Sequence, residues 1–544
     1  MKIALAQIST RPGKIEENTA KIVSYIEQAS AAGAELVVFP ELAIPGYAIM
    51  DLAFSTSYIA ENKNALDKIV AASKNIAVIV GFIDFDPTKK RAGNRPALYN
   101  CAAVIENGKL IGVQDKTLLP NYDIFFEDRY FSTARDTKVF KVKGETLGVQ
   151  ICEDLWDEDY PVKVTENLLK LKAEIIINIS ASPFNTGKLQ ERYRVISKLA
   201  QTHKTCFVYT NLVGSFDGFD GETVFDGQSL VLNKDADIIA QAQAFREELL
   251  VLDLSKAEKR ALTPSSPEGE IHDALILGIR DFFGRLGVKK AYLGLSGGID
   301  SAVVAALASE ALGKENVIAL TMPSHITSGE TLNDAKKLAH NFGISLLERP
   351  IVSEYQAWLK EFTESNGQEP SKLTRQNKQA RIRGSMLMAY SNHNADGLVL
   401  STGNKTELAL GYCTLYGDMC GALAVISDLS KVRVYALARY INEKNQQELI
   451  PQTTIDRIPT AELEENQTDR ANLPADYPVI SPLVESIIEE NYSLAELEAK
   501  YGAEIVQKTI KLINQNEFKR RQAAPGIRIT KRAFGIGRRI PMAI

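Results

Sequence analysis

The sequence predicts an α/β protein in two parts, a sheet-rich layered first half and a doubly wound parallel sheet in the second. Three observations carry this reading. Apolar strand-like runs alternate with amphipathic helical stretches through the first half, all periodicity breaks at 261 to 270, and a fresh helix–strand alternation follows. The chain has 544 residues, 45% of them hydrophobic, which is too long for one core when domains run to about 100 to 250 residues.

In the first half the strand-like runs are IALAQI at 3 to 8, ELVVF at 35 to 39, IAVIVGF at 76 to 82, TLGVQIC at 146 to 152 and EIIINIS at 174 to 180. Between the first two, Ile22, Val23, Ile26 and Ala29 recur at helical spacing. Asn107-Gly108 joins CAAVIE to KLIGVQ as a hairpin turn would, so the sheet has antiparallel members as well. SLVLN and EELLVLDL add late strands without long helices between them.

The stretch ALTPSSPEGE, with two Pro, two Ser and a Gly, marks a linker at 261 to 270 between a domain at 1 to 260 and one at 271 to 544. Beyond it the order is helix, strand AYLGLS, Gly-rich turn, helix, strand VIALTM, helix, strand, helix, strand GLVLS. Two polar insertions, 361 to 374 and 454 to 475, read as loops or lids. The stretch 519 to 539 holds eight Lys and Arg and no acid.

Composition excludes several classes. With 63 Lys and Arg against 68 Asp and Glu, net charge −5, the chain is not built to coat nucleic acid. Its five cysteines include no CxxC pair and its five histidines never stand at metal-ligand spacing, so a metal is expected on carboxylates. No run of 18 apolar residues occurs and the first polar residues come too early for a signal h-region, so a soluble cytoplasmic protein is expected.

Reacting groups in α/β sheets sit beyond the strand carboxyl ends. Glu41 after LVVFP, Lys116 after KLIGVQD and Cys152 after TLGVQI stand at such places. A thiol nucleophile needs a base for its proton and a cation for the thiolate, and Glu with Lys supplies both. Taken singly, a cysteine ending an apolar run is more often core packing and a lone lysine a solvated charge. The segments FPELAIPGY, DKTLLPNY and GVQICEDLW resemble the three signature segments of the nitrilase, or carbon-nitrogen hydrolase, superfamily over residues 1 to 255. The resemblance implies an αββα sandwich with a Glu41, Lys116, Cys152 triad. Cys152 would attack a carboxamide carbon, Glu41 would act as base and then acid, and Lys116 would stabilise the oxyanion. Tyr122, Ser182 and Lys188 match positions that hold glutamine in glutaminase members of that superfamily.

In the second half LGLSGGIDS places two glycines and two serines between a strand and a helix, a turn whose amides suit phosphate. It is neither GxxxxGK[ST] nor GxGxxG. Asp300 beside bound phosphates has a use as a Mg²⁺ ligand. SGGIDS resembles the pyrophosphate loop of the N-type ATP pyrophosphatases, which implies ATP contacts from Gly294, Leu295, Ser296, Gly297, Gly298, Ile299, Asp300 and Ser301. RQNKQARIRG, STGNKTELALGYCTLYGDM and NEFKRRQAAPGIRITKRAFGIGRRIP then make the second half similar to the bacterial glutamine-dependent NAD synthetase family. That likeness implies Mg²⁺ on Asp300 and Glu407, Thr402 on ATP, and Asn377, Glu407 and Lys519 on deamido-NAD. One departure stands out: members usually carry Lys before the Asp at 428, and here that residue is Ser427.

A carboxylate is a poor electrophile and ammonium no nucleophile, so fusing an adenylating half to a glutaminase half answers both needs. The expected reaction amidates adenylated deamido-NAD with glutamine-derived ammonia, carried through a buried passage and giving NAD, AMP, pyrophosphate and glutamate. The expected partners are the small molecules glutamine, ATP and deamido-NAD, with no nucleic acid, no membrane, and pairing of copies through the synthetase half. Two other readings remain open. In one, the pyrophosphatase half modifies tRNA or another carboxylate or carbonyl, with the basic stretch as a binding arm, which a tRNA shift assay decides. In the other, a degenerate nitrilase half only senses or docks, which glutamate release decides.

Overall fold

The computed structural model describes all residues except 92, 94, 218–220, 394, 465, 466, 491, 536, 543 and 544. Its backbone contacts fall into two compact units, Met1–Gly218 with Thr223–Ser265, and Ser266–Ile544 with Phe219–Glu222.

The first unit contains strands β1 (Lys2–Gln7), β2 (Leu36–Val38), β3 (Ala77–Arg91), β4 (Arg95–Glu106), β5 (Lys109–Asp115), β6 (Val139–Val142), β7 (Glu145–Ile151), β8 (Ile175–Ser180), β9 (Cys206–Asn211), β10 (Val213–Asp217), β11 (Gly221–Asp226), β12 (Leu230–Leu232), β13 (Ile238–Gln241) and β14 (Glu248–Asp253). Twelve of these, all but β10 and β11, form two six-stranded sheets, ordered β14-β1-β2-β3-β4-β5 and β13-β12-β9-β8-β7-β6. Each has parallel strands at its centre, β1 with β2 and β3 in one, β7 with β8 and β9 in the other, and antiparallel strands outside.

The side-chain period of two sorts these strands into layers. Ile3, Leu5, Leu36, Val38, Ala77 and Ile79 of one sheet share a core with Leu147, Val149, Ile151, Ile175, Ile177 and Ile179 of the other. The alternate residues Ala4, Val37, Val78 and Val80 face outward onto Ile22, Ile26 and Ala29 of the helix Ile15–Ala31 and Ile59, Leu66 and Ile69 of Thr56–Ala72. On the far side Ile176, Phe207 and Leu230 meet Leu168 and the helix Lys188–His203 through Leu189, Ile196 and Ala200. The layering is therefore helix, sheet, sheet, helix. The hairpin expected at Asn107-Gly108 joins β4 to β5, and both turn residues adopt the positive φ (53° and 68°) that a tight two-residue connection needs.

The second unit carries β15 (Lys290–Gly294), β16 (Val317–Thr321), β17 (Ser345–Glu348), β18 (Gly397–Ser401), β19 (Leu423–Ala424) and β20 (Gly526–Arg528), all parallel in the order β20-β19-β18-β15-β16-β17. The chain runs outward from β15 to β17, then returns to lay β18 on the other side of β15. The order reverses there, and in open α/β sheets ligands bind beyond the strand carboxyl ends at such a point, here those of β15 and β18. Helix Ile299–Leu312 is buried on nearly every side between the sheet and its neighbours, as its run of Ala and Val requires.

One expectation fails locally. Residues 361 to 374 are not a loop: helix Val352–Asn366 runs through the first six and helix Lys372–His393 begins near the last. The first helix touches the core along one stripe, Tyr355, Trp358 and Leu359, so polar residues at its end do not interrupt it. Only the turn between them, entered through Gly367 at φ 67°, is irregular. The second insertion is irregular and docked, with Arg457 on Thr331 and Asp334, and Asp469 accepting from Tyr477 Oη at 2.9 Å.

Candidate active sites

In the first unit Glu41 follows β2, Lys116 follows β5 and Cys152 follows β7, so two sheets deliver the three side chains to one place. Lys116 is 1% exposed and Glu41 0%. Lys116 Nζ lies 2.7 Å from Glu41 Oε1 and 2.8 Å from Glu127 Oε1. Asn100 Nδ2 donates to Glu41 Oε1 at 2.7 Å, and the Ala181 amide to Glu41 Oε2 at 2.9 Å. The base is thus fixed from both sheets.

Burial pushes the Cys152 thiol well up, and Glu41 adds to that, while Lys116 opposes both. The resting sulfur is accordingly a thiol whose proton needs a base. Burial disfavours the Lys116 ammonium, yet Glu127 and Glu41 outweigh it and hold the lysine charged. Cys152 itself sits at φ 46°, a left-handed backbone in which a non-glycine residue is strained by about 1–3 kcal/mol.

Glu127 is a member of this cluster that sequence reasoning missed. It lies in the one-turn helix Glu127–Tyr130, inside an irregular stretch with no periodicity to point to it. Burial raises its carboxyl to about 7 against the pull of Lys116, and its Oε2 is buried without a hydrogen-bond partner. Tyr47 Oη donates to the other oxygen at 3.3 Å.

Of the three glutamine candidates, Tyr122 and Lys188 lie within electrostatic reach of Cys152. Tyr122 Oη donates to Glu153 Oε1 at 3.0 Å, and Tyr160 Oη donates to the same oxygen at 2.9 Å. Ser182 is buried, its amide on Asn211 Oδ1 at 2.9 Å. Lys188 Nζ pairs with Glu191 at 2.8 Å and stands 4.1 Å over the Trp156 ring; burial lowers its affinity for a proton. Glu153 is the other residue the sequence did not single out, although it follows the nucleophile directly.

In the second unit the loop after β15 runs from Leu295 to the start of helix Ile299–Leu312. Ser301 Oγ donates to Gly298 O at 3.0 Å and the Gly298 amide to Ser296 Oγ at 3.2 Å, which closes the loop on itself. Gly297 has φ 88°, and a Cβ there would fall 2.4 Å from the Thr331 carbonyl oxygen, so only glycine fits. The helix N-cap is Gly298, which has no side chain to spend on the first-turn amides. Those donors lie at the carboxyl end of the sheet, the arrangement that binds an anion. Thr402 follows β18, the neighbouring strand at the point where the order reverses.

Asp300 and Glu407 come together around one cation that sequence reasoning also missed. Lys431 Nζ lies 2.5 Å from Asp300 Oδ2 and 3.2 Å from Glu407 Oε1. Asn404 Nδ2 donates to Asp300 Oδ1 at 2.9 Å and caps the helix Lys405–Leu410 that carries Glu407. Burial raises the Glu407 carboxyl to about 8, with Lys431 opposing it and Asp300 reinforcing it. Lys431 is 131 residues from Asp300, so no motif spacing joins them. Among the described residues no group of three or more His, Cys, Asp or Glu side chains is placed to hold a metal ion.

Asn377 and Lys519 meet on the loop after Glu407. Thr414 Oγ1 donates to Asn377 Oδ1 at 2.8 Å, and Lys519 Nζ donates to Gly411 O at 2.8 Å and Cys413 O at 2.9 Å. Arg520 binds Leu408 O and Ala409 O at 3.1 and 3.0 Å. The first two cations of the basic stretch are therefore spent on carbonyls at a helix C-terminus, where positive charge is favoured. Ser427 Oγ donates to Ala424 O at 3.0 Å.

Residues 2–262 match the carbon-nitrogen hydrolase family and residues 271–523 the NAD synthase family. Along its whole length the chain is similar to the glutamine-dependent NAD(+) synthetases of Synechocystis sp., at 40% identity over 99% of this chain and 98% of that one, and of Thermotoga maritima, at 37% over 100% and 98%. A solved structure of the Acinetobacter baumannii glutamine-dependent NAD+ synthetase in complex with ADP aligns over 99% of this chain and 98% of its own, with TM-score 0.78 and 36% identity. Among the described residues no helix is long and apolar enough to cross a membrane.

Proposed function

This chain belongs to the glutamine-dependent NAD(+) synthetases, ATP-consuming carbon-nitrogen ligases, and we propose how its residues divide that reaction. Residues 1–260 are the glutaminase, 261–270 the linker and 271–544 the synthetase. The observation that carries this division is the dry Glu41, Lys116, Glu127 cluster at Cys152 in one unit, set against a glycine loop with unspent amides beside Asp300 and Glu407 in the other.

In the glutaminase half Glu41 takes the Cys152 proton as sulfur attacks the carboxamide carbon of glutamine, and Lys116 donates to the oxyanion. Glu41 returns the proton to nitrogen, the carbon–nitrogen bond breaks, and ammonia leaves a thioester. Water, deprotonated by Glu41, then releases glutamate. Glu127 supports Lys116 from its far side, 2.8 Å from Nζ, and helps to hold it charged. Glu153, held by Tyr122 and Tyr160, suits the substrate's α-ammonium, and Lys188 suits its α-carboxylate. Ser182 closes the same pocket.

In the synthetase half residues 294–301 and Thr402 receive ATP, with phosphates on the unspent amides. Asp300 and Glu407 fit Mg²⁺ and would hold it: two hard carboxylates already share one buried cation charge. When bound, Mg²⁺ neutralises phosphate charge. Asn377 and Lys519, on the loop following Glu407, hold deamido-NAD. Ammonia from Cys152 reaches the adenylated carboxylate directly, and copies pair through the synthetase half, which sedimentation of the purified enzyme tests.

The deciding experiment follows NAD and AMP with deamido-NAD, ATP, Mg²⁺ and either glutamine or ammonium. Cys152→Ala is expected to stop the glutamine-driven reaction and spare the ammonium-driven one. Equal loss of both would falsify the division of labour.

A further inference from the structure

Cys152 and Lys116 end strands of different sheets, so something must keep the two strand ends in register. One tie across the sheets is the Ala181 amide on Glu41, but Glu41 is itself the group that moves protons. A second tie centres on Asp154, a 1% exposed carboxylate two residues past the nucleophile. Its Oδ1 accepts from the amides of Thr117 and Leu118, at 3.0 and 2.8 Å, directly after Lys116. Its Oδ2 accepts from the Ile151 amide, at 3.0 Å, directly before Cys152.

We propose that Asp154 is a positioning residue for amide hydrolysis, clamping the Lys116 and Cys152 backbones to one carboxylate so that thiol and oxyanion donor keep one separation. The reasoning rests on the triad roles proposed above. Three bonds from main-chain amides are short, directional and unable to swing, unlike side-chain contacts, and they oppose the burial that raises the Asp154 carboxyl to about 7. They also oppose the strain at Cys152, whose left-handed φ of 46° persists only if its surroundings over-determine it. Asp154 does not touch substrate in this scheme; it acts through the two groups that do. The segment before the clamp is a strand in each case, β5 and β7, so one carboxylate converts the rigidity of two sheets into a fixed distance between two reacting atoms.

Replacement by Asn keeps an oxygen for Thr117 and Leu118 but turns an NH2 group toward the Ile151 amide, which loosens the cysteine side alone. For D154N the expected result is a fall of about 100-fold in kcat for glutamine hydrolysis with KM within about twofold, the size of effect a misplacement of about 1 Å produces. Ammonium-driven NAD formation should be unchanged. The midpoint of Cys152 alkylation by iodoacetamide, followed against pH, should move upward, because the Lys116 charge that favours the thiolate is displaced, a change that loss of packing alone does not cause. Glutamine kcat within threefold of the parent overturns the proposal, as does a fall in kcat matched by an unmoved alkylation profile. If D154N does not fold, D154E decides, since it keeps a carboxylate and shifts it by one methylene. It should lose at least about tenfold in kcat at unchanged KM, and a parental kcat overturns the clamp. Cys152→Ala in the same assay separates the two claims: if it still hydrolyses glutamine, the triad assignment fails and the clamp with it, whereas an inactive Cys152→Ala beside a D154N of parental kcat overturns the clamp alone.

Discussion

The two candidate sites solve opposite problems. At Cys152 the catalytic charges are already paired within the protein: Lys116 and Glu41 are buried against each other, and the base is held from both sheets. At the glycine loop the first-turn amides are unspent and two carboxylates share one lysine. A covalent mechanism needs its own groups finished before substrate arrives, because misplacement by about 1 Å costs about 100-fold. A nucleotide site needs groups left unfinished, because the ligand brings the charge that completes them. Desolvation raises carboxyl groups in both, Glu127 to about 7 and Glu407 to about 8, so burial alone does not distinguish the sites.

Breaking each site in turn should separate the two half-reactions. The largest effect is expected at the finished site: Lys116→Met leaves Glu41 and Glu127 buried without their cation, costing about 3–5 kcal/mol. It should abolish glutamate release and lower the melting of residues 1–265, expected as the first of two calorimetric transitions, one per unit. Ammonium-driven NAD formation at permissive temperature should survive, and its loss would show that the halves are not separable. Next comes Gly297→Ala, which forces a methyl to 2.4 Å from the Thr331 carbonyl and strains φ 88°. About 100-fold loss of the ammonium-driven rate is expected, in line with a shift of about 1 Å in the phosphate-binding amides. Glutamate release measured without ATP should be untouched.

A smaller, pH-dependent effect should come from Glu127→Gln. Burial raises the folded carboxyl from its ordinary 4.5 to about 7, so the folded state holds the proton more tightly than the unfolded one. That contribution to stability is complete below pH 4.5 and is lost as pH rises through 7. The parent's first melting transition should fall between pH 5 and 8, and the Gln variant should fall less. Calorimetry at four pH values decides, and parallel curves would remove Glu127 from the argument. The smallest effect is expected from Lys519→Met, which strips a cation from the Gly411 and Cys413 carbonyls. About 1 kcal/mol of stability should go, together with a higher KM for deamido-NAD, while glutamine hydrolysis stays as it was.

Much of both sites was legible because the groups sit one to three residues past a strand, where local sequence announces them: Glu41, Lys116, Cys152 and the loop before Ile299. Glu127, Glu153 and Lys431 were not, for separate reasons. Glu127 emerges from an aperiodic stretch, and Glu153 is overshadowed by the cysteine before it. Lys431 opens a helix, Lys431–Asn445, and reaches Asp300 only through the return of the chain to β18. The helix over 361–366 was misread because its exposed flank carries polar residues, while its anchoring residues Tyr355 and Trp358 lie earlier. Periodicity reports what an element buries, and a helical end that buries nothing is silent.

The sheet orders also govern how the chain is made. β1 pairs on one side with β14, Lys2 opposite Asp253, so the first strand leaving the ribosome waits for the last strand of its unit. In the second unit Lys290 of β15 waits for Gly397. At a synthesis rate of about 5–20 residues per second the β15 strand that precedes the phosphate loop spends roughly 5–20 s with one edge bare. Each unit thus keeps a strand edge bare until late in its synthesis, and a nascent chain halted before Asp253 or Gly397 exposes that edge.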